Sequence, residues 1–243
     1  MFATNPFAAL SATVSPAVMQ TYVVAMFGLV AAGTLFDIVH KGSARYFFDH
    51  WRRSKAKAPS ELGGRELASI ALQTAVVDVL ASGEFCSARR RIAHLLTMYG
   101  FLIYVVSTAV MVFNPLASDA WPHLWWIGGL MVCAGGYWFW FFIRADVAAE
   151  GNSPWRVMRA DLFVLSLLAS VTLGLVWAAL QANGSGSAIV FLVLYLLATT
   201  VLFGSVPWSK FAHMFFKPAA AFEKRVSCAN GTRSNLPAPA DRP

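Results

Sequence analysis

The chain has 243 residues, 58% of them hydrophobic and 14% aromatic, with 13% charged and a mean hydropathy of +0.58. That balance excludes an ordinary soluble domain and indicates a polytopic, all-α membrane protein. Its net charge of +7 reads as an orientation signal, which removes nucleic acid from the partners to consider.

Five apolar segments are long enough to cross a bilayer core, which takes about 20 helical residues: Pro16–Val39, Ile92–Phe113, His123–Ile143, Asp161–Leu180 and Ala188–Val206. Of the 19 Lys and Arg, ten lie between Lys41 and Arg91, three between Arg144 and Arg159, and six from Lys210 onward. The stretch before Pro16, the turn Asn114–Pro122 and the turn Gln181–Ser187 hold none. Because loops on the cytoplasmic side retain basic residues, this alternation predicts a five-transmembrane-helix bundle with its N-terminus outside and its C-terminus inside. The expected organisation is an outer segment over 1–15, a membrane domain over 16–222 with a cytoplasmic loop at 40–91, and a flexible tail over 223–243. Residues 1–15 lack a basic start and a separate apolar core, so the first helix is expected to insert without cleavage of a signal peptide.

The first predicted helix carries Gly28, Ala31, Ala32 and Gly33, a small surface for close helix contact. Near its inner end Asp37, His40 and Lys41 fall within about one turn. They read either as a helix end snorkelling into the headgroups or as a proton-handling, quinone-contacting group. In the loop that follows, Glu66–Leu80 places Leu67, Ile70, Ala71, Thr74, Val77 and Leu80 near helical spacing, which predicts an amphipathic helix along the inner face.

The second span opens on RRRIAHLLTMYGF, with three arginines at the lipid boundary and His94 less than one turn inside. Thr97 and Gly100 below it leave room for a neighbouring helix or for a flat macrocycle. The third span, aromatic at both ends, contains Gly128, Gly129, Gly135 and Gly136; His123 at its outer edge is assigned no function. The fourth is uniformly apolar and is expected to face lipid. The fifth runs toward VPWSKFAHMFFKP, where Pro207 is expected to kink the helix and aim His213 inward.

Two imidazoles just inside basic boundaries are what a six-coordinate b-type haem needs as axial ligands. His94 and His213 are therefore the candidate iron ligands, with His40 as rival. Arg89, Arg90, Arg91 and Lys210 are placed to meet the propionates, and Asp37 and His40 are candidates for a quinone site. The alternative is a haemless anchor in which these histidines only pack or hydrogen-bond. Cys86, Cys133 and Cys228 form no C-x-x-C, so no iron–sulfur or zinc centre is expected in this chain.

The segments RRRIAHLLTMYGF and PWSKFAHMFFKP, with ALQTAVVDVLASGEF before the first, resemble the haem-b membrane subunit family of respiratory nitrate reductase. They are similar also to membrane parts of quinone-interacting complexes of sulfur metabolism. The resemblance covers nearly the whole chain. It implies electron transport between membrane quinone and a cytoplasmic flavin or iron–sulfur enzyme, in a bacterial or archaeal cytoplasmic (inner) membrane. Members of that family hold two stacked haems, and His94 and His213 match the cytoplasmic pair of ligands. The deeper pair, ten residues after the first and eighteen before the second, falls here on Tyr104 and Tyr195, so one haem b is expected. Without a ferredoxin-like fusion, the chain looks most like the stand-alone membrane anchors, which implies adenylylsulfate reductase as the soluble partner.

Overall fold

The computed structural model describes residues 2–40, 45, 48–49, 51–52, 56, 58–83, 85, 87–208 and 213–232, without the side chains of 213–216. Among these residues all regular structure is helical: α1 (Pro6–Leu10), α2 (Pro16–His40), α3 (Gly64–Gln73, continued by Thr74–Leu80), α4 (Ala88–Phe113), α5 (Ala120–Trp138, continued by Phe139–Ile143), α6 (Ala145–Ala148), α7 (Leu162–Ala182), α8 (Ala188–Gly204) and α9 (His213–Ala229). Four helical stretches, Pro16–His40, Ala88–Phe113, Ala120–Ala148 and Arg159–Ala182, are long and apolar enough to cross a membrane; α8 is apolar but has 17 residues. The chain divides into two compact units, Met1–Thr34 with Phe85–Phe211 and Leu35–Glu84 with Ala212–Pro243.

In the first unit α5 is the centre, and its paired glycines explain why. Neighbouring residues point about 100° apart on a helix, so each Gly–Gly pair clears two faces. Gly128 and Gly135 face α4: a Cβ on Gly128 would lie 2.8 Å from the Gly100 carbonyl oxygen, and one on Gly135 2.6 Å from that of Ala93. Gly129 and Gly136 face α7, where a Cβ would meet Leu175 at 2.8 Å and Leu168 at 2.6 Å. Thus α4 and α7 press on two faces of one helix about 100° apart, α4 with its backbone at distances that only glycine permits and α7 with the ends of Leu175 and Leu168.

The expectation that the fourth span faces lipid is overturned. Ser166, Ser170, Gly174 and Ala178, each four residues after the last, are all buried; this small-residue stripe lets α7 pack between α5 and α8. Uniform apolarity hid the helix's orientation because every face is compatible with lipid. Across α7 and α8, Thr199 donates to the Tyr195 carbonyl at 2.7 Å, leaving its oxygen to accept from Ser170, also at 2.7 Å. Helix α2 is joined to α8 by the Tyr22 hydroxyl, which donates to the Leu196 carbonyl at 3.0 Å, and by Gly33 against Val206. Of the small surface expected on α2, Gly33 makes such a contact, whereas Gly28 has open space around it.

The turn from α5 to α7 is built on one buried cation. Arg144, 4% exposed, approaches Asp146 at 2.8 Å and donates to Asp161 at 2.9 Å. It also donates to the carbonyls of Arg156 (2.6 Å) and Pro154 (3.2 Å), and stacks 3.9 Å over Trp140. A charge at that depth requires this much compensation.

In the second unit α3 packs with α9. Arg225 donates from Nη2 to one Asp78 oxygen at 2.9 Å and from Nε to the other. These bonds hold the Asp78 carboxyl below the usual carboxylate range, and Asp78 raises Arg225 in return. The expected apolar stripe of α3 is only partly followed. From Thr74 the helix widens to i→i+5 bonding, as in Ala81 N–H to Val76 O, which shifts the facing by about one residue. Thr74 is buried, Leu67, Ile70 and Asp78 are half-buried, and Val77 and Leu80 are exposed. Where the sequence predicts a flexible tail from 223, α9 continues to Ala229, with Val226 and Ser227 buried. Residues 233–243 lie outside the described residues.

Candidate functional site

His94 lies in the second turn of α4, half-buried, with its ring 5.0 Å from that of Phe85 and tilted by 44°. Phe101, seven residues and so about two turns farther on, shares its face of the helix and meets Phe203 near the end of α8, with ring centroids 6.4 Å apart. His94 is therefore on the flank of α4 nearest α8, about a quarter-turn from the Ala93, Thr97 and Gly100 face that meets α5. Thr97 and Gly100 pack against α5, at Gly135 and Gly128. The space that might have admitted a macrocycle there is filled by that helix.

Arg89 and Arg91 are exposed and Arg90 is half-buried at the start of α4. The side chain of His213, whose backbone begins α9, and all of Lys210 lie outside the described residues. Helix α8 ends at Gly204 and a turn follows through Trp208; the Pro207 kink expected inside a continuous fifth helix is replaced by a break in the helix.

On the last turns of α2, Asp37 is 3% exposed, and His40 is exposed with its ring stacked on Phe36 at 4.9 Å and 15°. His123 is exposed, with Nδ1 2.7 Å from the Asp119 carbonyl oxygen, so Nδ1 carries the proton and donates. Among the described residues no group of three or more His, Cys, Asp or Glu is arranged to hold a metal ion. Cys133 and Cys228 are free thiols, and Cys86 lies outside the described residues.

Tyr104 and Tyr195, the positions to which the family resemblance assigns a deeper pair of ligands, lie close enough to interact. Tyr104 is 4% exposed and stacked on Trp125 at 4.9 Å; Tyr195 is 5% exposed and stacked on Trp177 at 5.8 Å. The Trp125 indole donates to Thr108, whose hydroxyl donates to the Tyr104 carbonyl. The Tyr104 hydroxyl points at Gly174, where a Cβ would collide with it. It interacts electrostatically with Tyr195 but makes no hydrogen bond of normal geometry among the described residues.

Two features went unread in the sequence. The buried Arg144 cluster had only the acid–base pairing of its loop as a signal. The Ser166, Ser170, Gly174, Ala178 series could have been found by its fourfold spacing. Compared with protein-family profiles, curated proteins and solved structures, the chain matches none.

Proposed function

We propose that the chain is a multi-pass membrane anchor of cytochrome b type, which passes electrons between a membrane quinone and a redox enzyme docked on its basic side. On this reading α8 is a fifth crossing. Its 17 residues rise about 26 Å, at the short end of what a core of about 30 Å accepts. The N-terminus lies outside, and the loop carrying α3 lies inside with α9, in the cytoplasmic membrane of a bacterium or archaeon.

The observation that carries the proposal is His94: an imidazole, half-buried within two turns of three arginines, on a flank of α4 beside the face that packs against α5. That position fits one axial ligand of haem b, with His213 as the second. The haem, when bound, supplies one-electron transfer. His94 holds and orients it, Phe85 and Phe101 shield its ring from water, and Arg90 and Arg91 meet its propionates with Lys210. Asp37 and His40 are the groups proposed to hold the quinone and move its proton. The soluble partner is a flavin or iron–sulfur enzyme, and adenylylsulfate reductase is the class implied by the family resemblance described above.

A haemless anchor that only recruits the enzyme is the second reading, favoured by the packing of Thr97 and Gly100 against α5. A dithionite-reduced spectrum of the purified protein separates the two. A sharp alpha band lost in both His94→Ala and His213→Ala, but kept in His123→Ala, supports the cytochrome. A protein without the band that still retains its enzyme supports the tether, and a band surviving either of the first two substitutions moves the ligand, with His40 next to test.

A further inference from the structure

A cavity of about 170 Å³ lies in the first unit, lined by residues of α1, α2, α4, α7 and α8. Its wall runs over Phe101–Val112 on α4 and Leu192–Phe203 on α8, twelve residues of each helix, or about 16 Å. That is close to half of a hydrocarbon core of about 30 Å, the depth of one leaflet. The cavity is larger than the ~150 Å³ apolar void that stays dry and admits benzene. Val18 and Phe27 of α2, both on its wall, are 59% and 52% exposed, so the cavity reaches the apolar surface of the helices.

The polar groups of the wall are already engaged or directed elsewhere. Tyr22 donates to the Leu196 carbonyl, Ser170 and Thr199 bond each other, Thr108 bonds the Tyr104 carbonyl, the Tyr104 hydroxyl is turned against Gly174, and Tyr195, its ring stacked on Trp177, interacts with Tyr104. A carbonyl or phosphate brought here would lose its water and meet only hydroxyls that are engaged or, at Tyr104, aimed at Gly174, at a cost of a few kcal/mol. A polar head is therefore a poor occupant, whether of a quinone or of a lipid, and a hydrocarbon chain a good one.

We propose that this cavity is a binding site for one acyl chain of a membrane phospholipid, taken from the leaflet at the α1 end, with the headgroup left at the surface. The neighbouring turns Asn114–Pro122 and Gln181–Ser187 contain no Lys or Arg, so the grip is on the chain and carries no preference for anionic heads.

The test uses the full-length protein in nanodiscs containing phosphatidylethanolamine with a diazirine near the end of one acyl chain. After irradiation, labelled peptides are mapped by mass spectrometry. Label is expected to concentrate on Phe101–Val112 and Leu192–Phe203. Ala109→Phe, which fills the cavity, is expected to lower it there by about tenfold, the equivalent of roughly 1.4 kcal/mol, while Leu130 on the outer face of α5 is labelled as before. Ala109→Leu serves if the larger side chain prevents folding. Uniform labelling of all lipid-facing helices, unchanged by either substitution, would overturn the proposal. So would loss of the cavity label to a prenylquinone at equal concentration when phosphatidylcholine has no such effect, since the occupant would then be a prenyl tail.

Discussion

Removing the Arg144 guanidinium tests how the turn between α5 and α7 is held. Arg144→Ala leaves Asp146 and Asp161 buried with their cation gone, strips two backbone carbonyls of their donor and uncovers Trp140. Breaking a buried ion pair by deleting one partner costs about 3–5 kcal/mol, mainly because the remaining charge is left uncompensated. Two carboxylates are left here, so the upper part of that range applies. At about 2–4 °C per kcal/mol for a chain of this size, the melting midpoint in mild detergent should fall by about 10 °C or more. Arg144→Lys restores the charge but not the planar fork that reaches Asp146, Asp161 and the carbonyls together, and should recover less than half of the loss. Asp161→Asn added to Arg144→Ala should recover part of it, because one stranded charge is removed. A midpoint for Arg144→Ala within about 2 °C of wild type, no more than the shift expected for a single kcal/mol, would refute this account.

The Asp78–Arg225 pair sets a pH dependence. Since Asp78 is held below its unfolded value of about 3.9, its contribution is complete above that pH and is lost as pH falls through the lower folded value. Protease cleavage between 223 and 229 should therefore rise on acidification, and Arg225→Gln should bring that sensitivity to neutral pH. Glycine substitutions should separate tight contacts from open ones. Gly135→Ala drives a methyl against the Ala93 carbonyl, which cannot rotate away, and should cost about 1–3 kcal/mol; Gly28→Ala, with nothing within 4 Å, should stay within about 0.5 kcal/mol of wild type. Thermal unfolding of the two side by side checks both.

The element boundaries were legible where charge or polarity interrupts an apolar run: the arginines before His94 and the Asn114–Pro115 turn mark the ends of α4 within a few residues. Which side of a helix faces its neighbours was legible only through small residues. The glycine pairs of α5 announce two close faces, whereas α7 has no polar side to orient it and was misplaced for want of reading its four-residue repeat. Misreading of α3 has a different cause, because a widened helix shifts every later side chain and ideal periodicity cannot anticipate it. At α9, the polar composition of the chain after Phe222 suggested an end to order. The helix continues because Arg225 finds its carboxylate on a segment more than a hundred residues earlier, information that no local pattern holds. The site was legible as residue types at boundaries: an imidazole inside three arginines can be seen in a string of letters, but the filling of the Thr97–Gly100 face by α5 cannot.

The fit of Gly135 against the Ala93 carbonyl reaches beyond helix packing. Ala93 immediately precedes His94, so the height of that imidazole in the membrane is set by a missing side chain on a different helix. A shift of α4 along its own axis would have to carry the glycine's helix with it. Whatever His94 binds must adjust by swinging the ring or by moving the opposite partner, because the backbone beneath it is locked in register.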